Sequence, residues 1–263
     1  MMRDGHTTFP CGITGTVSAS ESLGPNTHND PATLAFGRMI DAPSDLAGQT
    51  IAIFRDFMGD PTTPDVAAAV ELAAGVLGAA GATVQDFTLP GFMDESLAAH
   101  TPIMWSELAH VHREWFPSRK SEYTEFSQDR IAASREIPAI DYLHGLDERR
   151  RMQARIATAM HEQGIDLHML PTSPMVATLH EDLYDDVDRG AELMALGTWN
   201  SPFNVTGQPS LSLPCGFSDD HLPIGFQIVG RHGEDNLVLQ AGKIYQSGTD
   251  WHRRHPNVVV ASS

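Results

Sequence analysis

Lysine is the scarcest charge carrier in this chain. Only Lys120 and Lys243 occur among 263 residues, and all 17 basic residues together face 34 acidic ones, for a net charge of −17. A surface of that sign repels phosphate backbones and anionic lipid, so neither nucleic acid nor a membrane is an expected partner. Cysteine is as rare. Cys11 and Cys215 lie too far apart in sequence for a metal knuckle, and a chain of this length needs no disulfide scaffold. Cys215 is expected to act as a small buried apolar residue. Long apolar runs are missing too. The nearest, residues 66–84, is rich in Ala and Gly and holds Glu71, which suits a buried helix better than a membrane span. The first twelve residues mix Arg3, Asp4 and His6 with polar neighbours and do not look like a secretory signal, so a cytoplasmic location is expected. No G-x-G-x-x-G, Walker loop, G-x-S-x-G elbow or H-E-x-x-H occurs, which removes the usual grounds for nucleotide binding, Ser-His-Asp hydrolysis or zinc catalysis. The acidic excess would suit a halophilic source, although a GC-rich genome also favours Arg over Lys. In the halophilic case the melting temperature rises as KCl goes from low to molar levels, and a fall would sink the idea.

Apolar residues make up 41% of the chain and charged residues 19%, as in a soluble globular protein, and no segment reads as a linker. One domain over residues 1–263 is expected. Residues 1–45 are rich in Gly, Thr, Ser, Pro and Asn, with helical spacing only at 31–40. A short β-rich run at 50–54 leads to Thr63, a candidate cap, with Pro64 and Asp65 in the first turn of a helix. Val66, Val70, Ala73, Ala74 and Leu77 give that helix one apolar face, Gly81 closes it, and 82–89 forms a second strand. This strand-helix-strand unit points to an α/β layer structure. Helices are expected at 102–115, 127–135 and 138–163. The last exposes Arg149, Arg150, Arg151 and Arg155 beside Asp147 and Glu148, a solvated salt-bridged face. A strand at 165–170 feeds the loop Pro171-Thr172-Ser173-Pro174, and an acidic irregular stretch covers 181–188. Two apolar runs, 211–213 and 224–229, follow around a turn rich in Asp, His and Pro. Pro214, Gly216 and Pro223 are expected to end their pairing. A helix at 235–248 closes the chain.

Thirteen histidines raise the question of a metal. Glu107, His110 and Glu114 share a helix face at i, i+3 and i+7, but the spacing matches no known metal motif, so no metal is expected. His252 and His255 are expected as exposed tail residues. Gln227, inside a buried strand, must find a hydrogen-bond partner, and a structural role is expected for it.

The run from Thr198 to Gly230 resembles the C-terminal core of the amidase signature family, whose members read T-x-P-F-N-x-T-G-x-P-A-x-S-L-P-x-G and then G-L-P-x-G-x-Q. Other pieces agree in order. Leu46-Ala-Gly with Thr50-Ile-Ala-Ile, then Pro64-Asp-Val and Gly81-Ala-Thr-Val, is similar to the family's L-x-G-x-x-I and P-x-V…G-A-x-V. Glu107 with His110, Arg130-Ile131, Asp141-Tyr142 and Arg149 resemble its helical middle, and Ile165-Asp166 leading to Leu170-Pro171-Thr172 with Pro174 resembles its D-x-L-L-x-P-T-x-P. Near the start, residues 12–28 resemble the stretch just after the family's nucleophile, with Glu21, Asn26 and His28 standing where Asp, Met and Arg are usual. The resemblance covers roughly residues 9–250. It implies an α/β fold with a mixed β-sheet covered by helices on both faces, and hydrolysis of carboxamide C–N bonds through an acyl-enzyme. No cofactor is implied.

The family's chemistry uses a Ser in a Gly-Ser-rich loop, a second Ser on a cis peptide and a base Lys upstream. A Ser hydroxyl needs a base to take its proton, and backbone N–H groups must hold the oxyanion. The 263 residues contain no such loop, and both lysines lie in the wrong places, so no catalytic residue is assigned. The expectation is an amidase-like domain truncated at the N-terminus, with 1–45 a remnant of the segment after the nucleophile, and inactive on its own. A complementing N-terminal amidase segment is the expected partner, and a small amide or its carboxylate product the expected ligand. A non-catalytic ligand-binding or assembly protein descended from an amidase is the alternative. By resemblance Thr172 and Ser173 border the substrate cavity and Phe203 and Asn204 wall it. The residues themselves equally suit a Pro-flanked turn bonded to its own backbone, a packed aromatic and a turn-forming Asn. A sheet deprived of neighbouring strands exposes edges and apolar surface, so the isolated chain is expected to self-associate. Light scattering checks this, and a sharp monomeric peak with cooperative unfolding would contradict it.

Overall fold

The computed structural model describes residues 45–179 and 199–254. The expected N-terminal remnant, the helix at 31–40, Cys11, the acidic stretch 181–188 and His255 lie outside the described residues. Those described fall into two compact units, one of residues 45–88, 164–179 and 209–254, the other of residues 89–163 and 199–208.

The first unit is an α/β sheet. Strand β1 (Thr50–Phe54) turns through a 3-10 segment (Arg55–Phe57) toward helix α1 (Pro64–Ala79), and strand β2 (Thr83–Phe87) returns parallel to β1. Helix α1 starts as its sequence suggests, with Pro64 in its first turn and Asp65 beside the positive end of the dipole. Thr63 caps it only by backbone geometry. Its hydroxyl makes no bond to a backbone N–H of the helix; it bonds to the Asp65 carboxylate, which lowers that group's pKa, and also reaches the Pro174 carbonyl at 3.4 Å, while the Thr63 N–H donates to the same oxygen at 2.8 Å. Glu71 faces outward and pairs with Arg55, which also donates to Asp86 on β2 at 2.7 Å. Among the described residues no helix is long and apolar enough to cross a membrane.

Strand β3 (Leu167–Pro171) runs parallel to β1 and antiparallel to β5 (Pro223–Gly230), which pairs antiparallel with β4 (Ser210–Phe217). The order is β2-β1-β3-β5-β4, a mixed five-stranded sheet. Alternation sends Ile51, Ile53, Leu167, Met169, Leu213, Cys215, Phe226 and Ile228 to one face. There they meet Val66, Val70 and Leu77 of α1 and Val238, Ala241, Ile244 and Tyr245 of helix α7 (Asp235–Ser247). Phe226 and Tyr245 pack edge to face at 4.8 Å. Beyond α7, His252 is half-buried in a 3-10 turn and not exposed as expected, because that turn folds back and sets Trp251 against Phe217 of β4.

Pairing of β4 with β5 does not stop at Pro214. It runs from Ser210↔Val229 to Phe217↔Pro223, with an irregularity between Pro214 and Gly216. The reason lies in the register. The Gly230 N–H donates to the Pro209 carbonyl at 2.9 Å, so bonded pairs recur at Leu211 and Leu213, and Pro214 falls where the backbone points away from β5. A missing N–H costs no bond to β5 there.

On the opposite face Phe54, Phe57, Phe87 and His168 form a buried cluster, with Phe54–Phe87 ring centroids 4.7 Å apart and Phe54–His168 5.4 Å. His168 is 0% exposed, and burial pushes its pKa down from 6.5 to about 3.

The second unit is helical: α2 (Phe92–Val111), α3 (Phe116–Arg119), α4 (Glu125–Ser134), α5 (Ala139–Glu162) and α6 (Ser201–Thr206). Helix α2 begins ten residues before the expected start, so Pro102 lies inside it and not in its first turn. Pro102 sits where α2 and α5 come close at Gly145. A Cβ on Gly145 would lie 3.0 Å from the proline ring and 3.1 Å from the Ala99 carbonyl. The basic run on α5 is ion-paired as expected, Arg150 with Asp147 and Arg151 with Glu148, while Arg155 crosses to Glu95 of α2 at 2.5 Å and donates to the Pro90 carbonyl at 2.6 Å.

The buried His168 ties stability to pH. The unfolded chain binds a proton there below about pH 6.5 and the folded chain does not until about pH 3, so its contribution is complete above 6.5 and declines as pH falls toward 3. Between pH 6.5 and 5 the loss should be roughly 2 kcal/mol, at ~1.4 kcal/mol per pH unit. Urea unfolding of wild type and His168→Leu across that range should show a shallower slope for the variant, and parallel slopes would refute the assignment.

Candidate functional site

The loop after β3 leaves the sheet at the carboxyl end of a strand whose parallel neighbour is β1, the end where open α/β sheets receive ligands. Thr172 is pinned at both ends. Its N–H donates to the Gly225 carbonyl at 3.0 Å, and its hydroxyl shares a 2.8 Å hydrogen bond with Ser212 of β4. Gly225 lies close beneath it, since a Cβ there would be 3.3 Å from Thr172 Oγ1. Ser173 is exposed and donates to the Met175 carbonyl at 2.8 Å, the local backbone bond of a turn. The loop is then fastened to the start of α1 through the Thr63 N–H and Pro174 carbonyl.

A polar stripe continues from Thr172 across the sheet. Ser210 and Ser212 alternate with Leu211 and Leu213, so β4 turns its leucines toward α1 and α7 and its serines to the other face. Gln227 lies opposite Ser212 and is buried. Ser210 donates to Gln227 Oε1 at 2.7 Å, and Gln227 Nε2 donates to the Pro171 carbonyl at 3.4 Å. The structural role expected of Gln227 is thus met by two bonds that hold β4 and the end of β3 to β5. Ser210 and Ser212 are absent from the residues picked out by sequence, although the Ser-Leu-Ser-Leu alternation carries the signal. The Ser212 hydroxyl bonds to Thr172, another neutral hydroxyl, and such a pair can donate or accept a hydrogen bond. A stripe of hydroxyls around a loop can hold a carbonyl or carboxylate oxygen by hydrogen bonds.

Phe203 and Asn204 belong to the helical unit. They sit on α6, a short turn that the left-handed Gly207 ends at φ 71°, its N–H donating to the Phe203 carbonyl at 2.8 Å. Phe203 is buried and Asn204 exposed. The start of α6 is tied to α2 by a buried Ser96–Ser201 hydroxyl pair at 2.8 Å, and its end to α5 by Gln153 donating to the Thr206 carbonyl at 2.9 Å. Thr172 and Ser173 therefore lie together in the sheet unit, and Phe203 and Asn204 together in the helical unit.

Elsewhere, His110 and Glu114 both engage Arg113, at 3.2 Å and 3.1 Å, and among the described residues no three His, Cys, Asp or Glu side chains gather as metal ligands. Burial pushes the Cys215 thiol up to about 12, which keeps it protonated and unreactive, as suits a buried apolar residue.

The amidase family model matches residues 26–239. An amidase of Pseudomonas putida is 31% identical over 210 residues, covering 79% of this chain and 44% of that protein. A glutamyl-tRNA(Gln) amidotransferase component of Aromatoleum aromaticum is 30% identical over 251 residues, covering 86% of this chain and 50% of that protein. The chain thus spans about half the length of these relatives or less. Among solved structures, 6-aminohexanoate cyclic dimer hydrolase with its substrate superposes at a TM-score of 0.70 and 22% identity, over 94% of this chain and 55% of that one. Its fold is shared: a mixed sheet with α/β layering. On the family match over most of its length, this chain belongs to the amidase signature family.

Proposed function

We propose that these 263 residues are the C-terminal portion of one amidase-like domain that cleaves the C–N bond of a small carboxamide, with the Ser, cis-Ser and Lys supplied by a separate segment. The observation that carries this reading is the family match over residues 26–239 in a sequence with no Gly-Ser-rich loop and only two lysines. Both lysines are exposed, Lys120 in a 3-10 turn and Lys243 on α7, which suits neither to act as a buried base. In this reading the chain contributes binding. Thr172 and Ser173 offer hydroxyls to the amide carbonyl or to the carboxylate it becomes. Orientation of that kind lets a nucleophile act at high effective concentration. The amidotransferase relative, by its name one component of a larger enzyme, is a precedent for assembly with other chains. The location is read as cytoplasmic. A second reading rests on the hydroxyl stripe alone, in which the chain binds amides or carboxylates without cleaving them.

Mixing the full chain with an N-terminal amidase segment that carries the nucleophile loop, then measuring ammonia release from a panel of small amides, separates these readings. Ammonia is expected from the mixture and not from either component alone. Thr172→Val should lower kcat/KM of the mixture by roughly tenfold, the cost of one hydrogen bond to a developing charge. Binding without ammonia in any mixture favours the second reading. Hydrolysis by the chain alone would overturn the division of labour.

A further inference from the structure

Between α2 and α4 the helical unit has an open cavity of about 540 Å³, a volume in the usual range for a small-molecule site, with Arg130 and Ala133 exposed at its mouth. Trp105, Ala133 and Ile137 give it apolar walls. Ser134 lines it too, but its hydroxyl already donates to the Ile131 carbonyl at 2.8 Å. Arg130 and Asp129 stand in the same lining.

Arg130 is held in an unusual way for this acidic chain. Arg113, Arg119, Arg150, Arg151 and Arg155 each hold a carboxylate in the helical unit, whereas among the described residues Arg130, like Arg135 and Arg149, holds none and is set apart by lying over two rings. Its guanidinium carbon lies 4.4 Å from the centroid of Phe126, four residues earlier on α4, and 5.1 Å from that of Trp105 on α2. Stacking of this type uses the faces of the guanidinium plane and leaves its N–H edge available. Two rings thus lie against the guanidinium, and among the described residues no carboxylate occupies the donors that would form a bidentate pair.

We propose that this cavity binds a monocarboxylate with an apolar or aromatic body, its carboxylate on the Arg130 fork and its body against Trp105 and Ile137. Asp129 precedes Arg130 on α4, a spacing at which two helical side chains do not face each other, but its charge at the cavity selects against dianions such as phosphate. The site lies wholly within the helical unit and does not depend on amide hydrolysis, so its test can fail or succeed independently.

Calorimetric titration of the full chain with sodium 3-phenylpropionate at low salt tests it. Saturable binding of one ligand per chain is expected, with Kd on the order of a millimolar or below. 3-Phenylpropanol, acetate and inorganic phosphate should each bind at least about tenfold more weakly, since each lacks one half of the recognition or carries too much charge. Arg130→Gln should weaken phenylpropionate by roughly tenfold or more, Arg130→Lys by less, and Ala133→Phe should abolish binding by filling the cavity. Circular dichroism identifies variants that fail to fold. Should all of them fail, intermolecular NMR cross-peaks between the phenyl protons and the Trp105 indole in the wild-type chain decide the matter. No saturable heat in the wild type, undiminished binding by folded Arg130→Gln, or absence of those cross-peaks would each overturn the proposal.

Discussion

The antiparallel pairing of β3 with β5 is the constraint on which the sheet unit depends. It joins a parallel βαβ half, built from residues 50–87, to a hairpin more than a hundred residues later. The register Leu167↔Gly230 through Pro171↔Phe226 brings the apolar residues of both halves onto one face under α1 and α7. A slip of one residue would turn Phe226 and Ile228 away from that core and bring Gln227 into it. The same pairing sets Thr172 over Gly225 and lets Gln227 reach the Pro171 carbonyl. Core packing and the hydroxyl stripe are thus two consequences of one register.

Much of the fold is legible in the sequence because its elements are locally consistent. The run at 50–54 is β1 to the residue, α5 and α7 agree with expectation within one residue at each end, and the βαβ order is plain. Two element boundaries fail at prolines. As strings, Pro102 marks a helix start and Pro214 a strand end, since local rules treat proline as a boundary. Both rules are overridden by tertiary position: close packing of α2 against Gly145 in one case, an outward-facing backbone in the other. Thr63 has the local pattern of a side-chain cap, but its hydroxyl turns to a carbonyl 111 residues away, which no local pattern contains.

The candidate site is legible in part. The strand-loop position of Thr172 and Ser173 is visible in the Pro-Thr-Ser-Pro string, and Ser173 does bond to its own turn. The partner of Thr172 is not visible, because Ser212 comes from a strand forty residues on. The Arg130 site is hidden for a different reason. Its rings come from two helices, and nothing in Arg130-Ile131 as a string distinguishes a stacked guanidinium from the ion-paired arginines of α5.

Pro214 has one more effect. Among the described residues β4 pairs with β5 alone, so the outward groups of Ser210, Ser212 and Pro214 form the rim of the sheet. A polypeptide laid along that rim finds N–H donors at Ser210 and Ser212 and none at Pro214, whose carbonyl is also within 3.4 Å of the Tyr245 hydroxyl. The rim is therefore a ruler as well as an edge: it gives a newcomer two donors and then a stop, which limits both the length and the alignment of anything that extends the sheet.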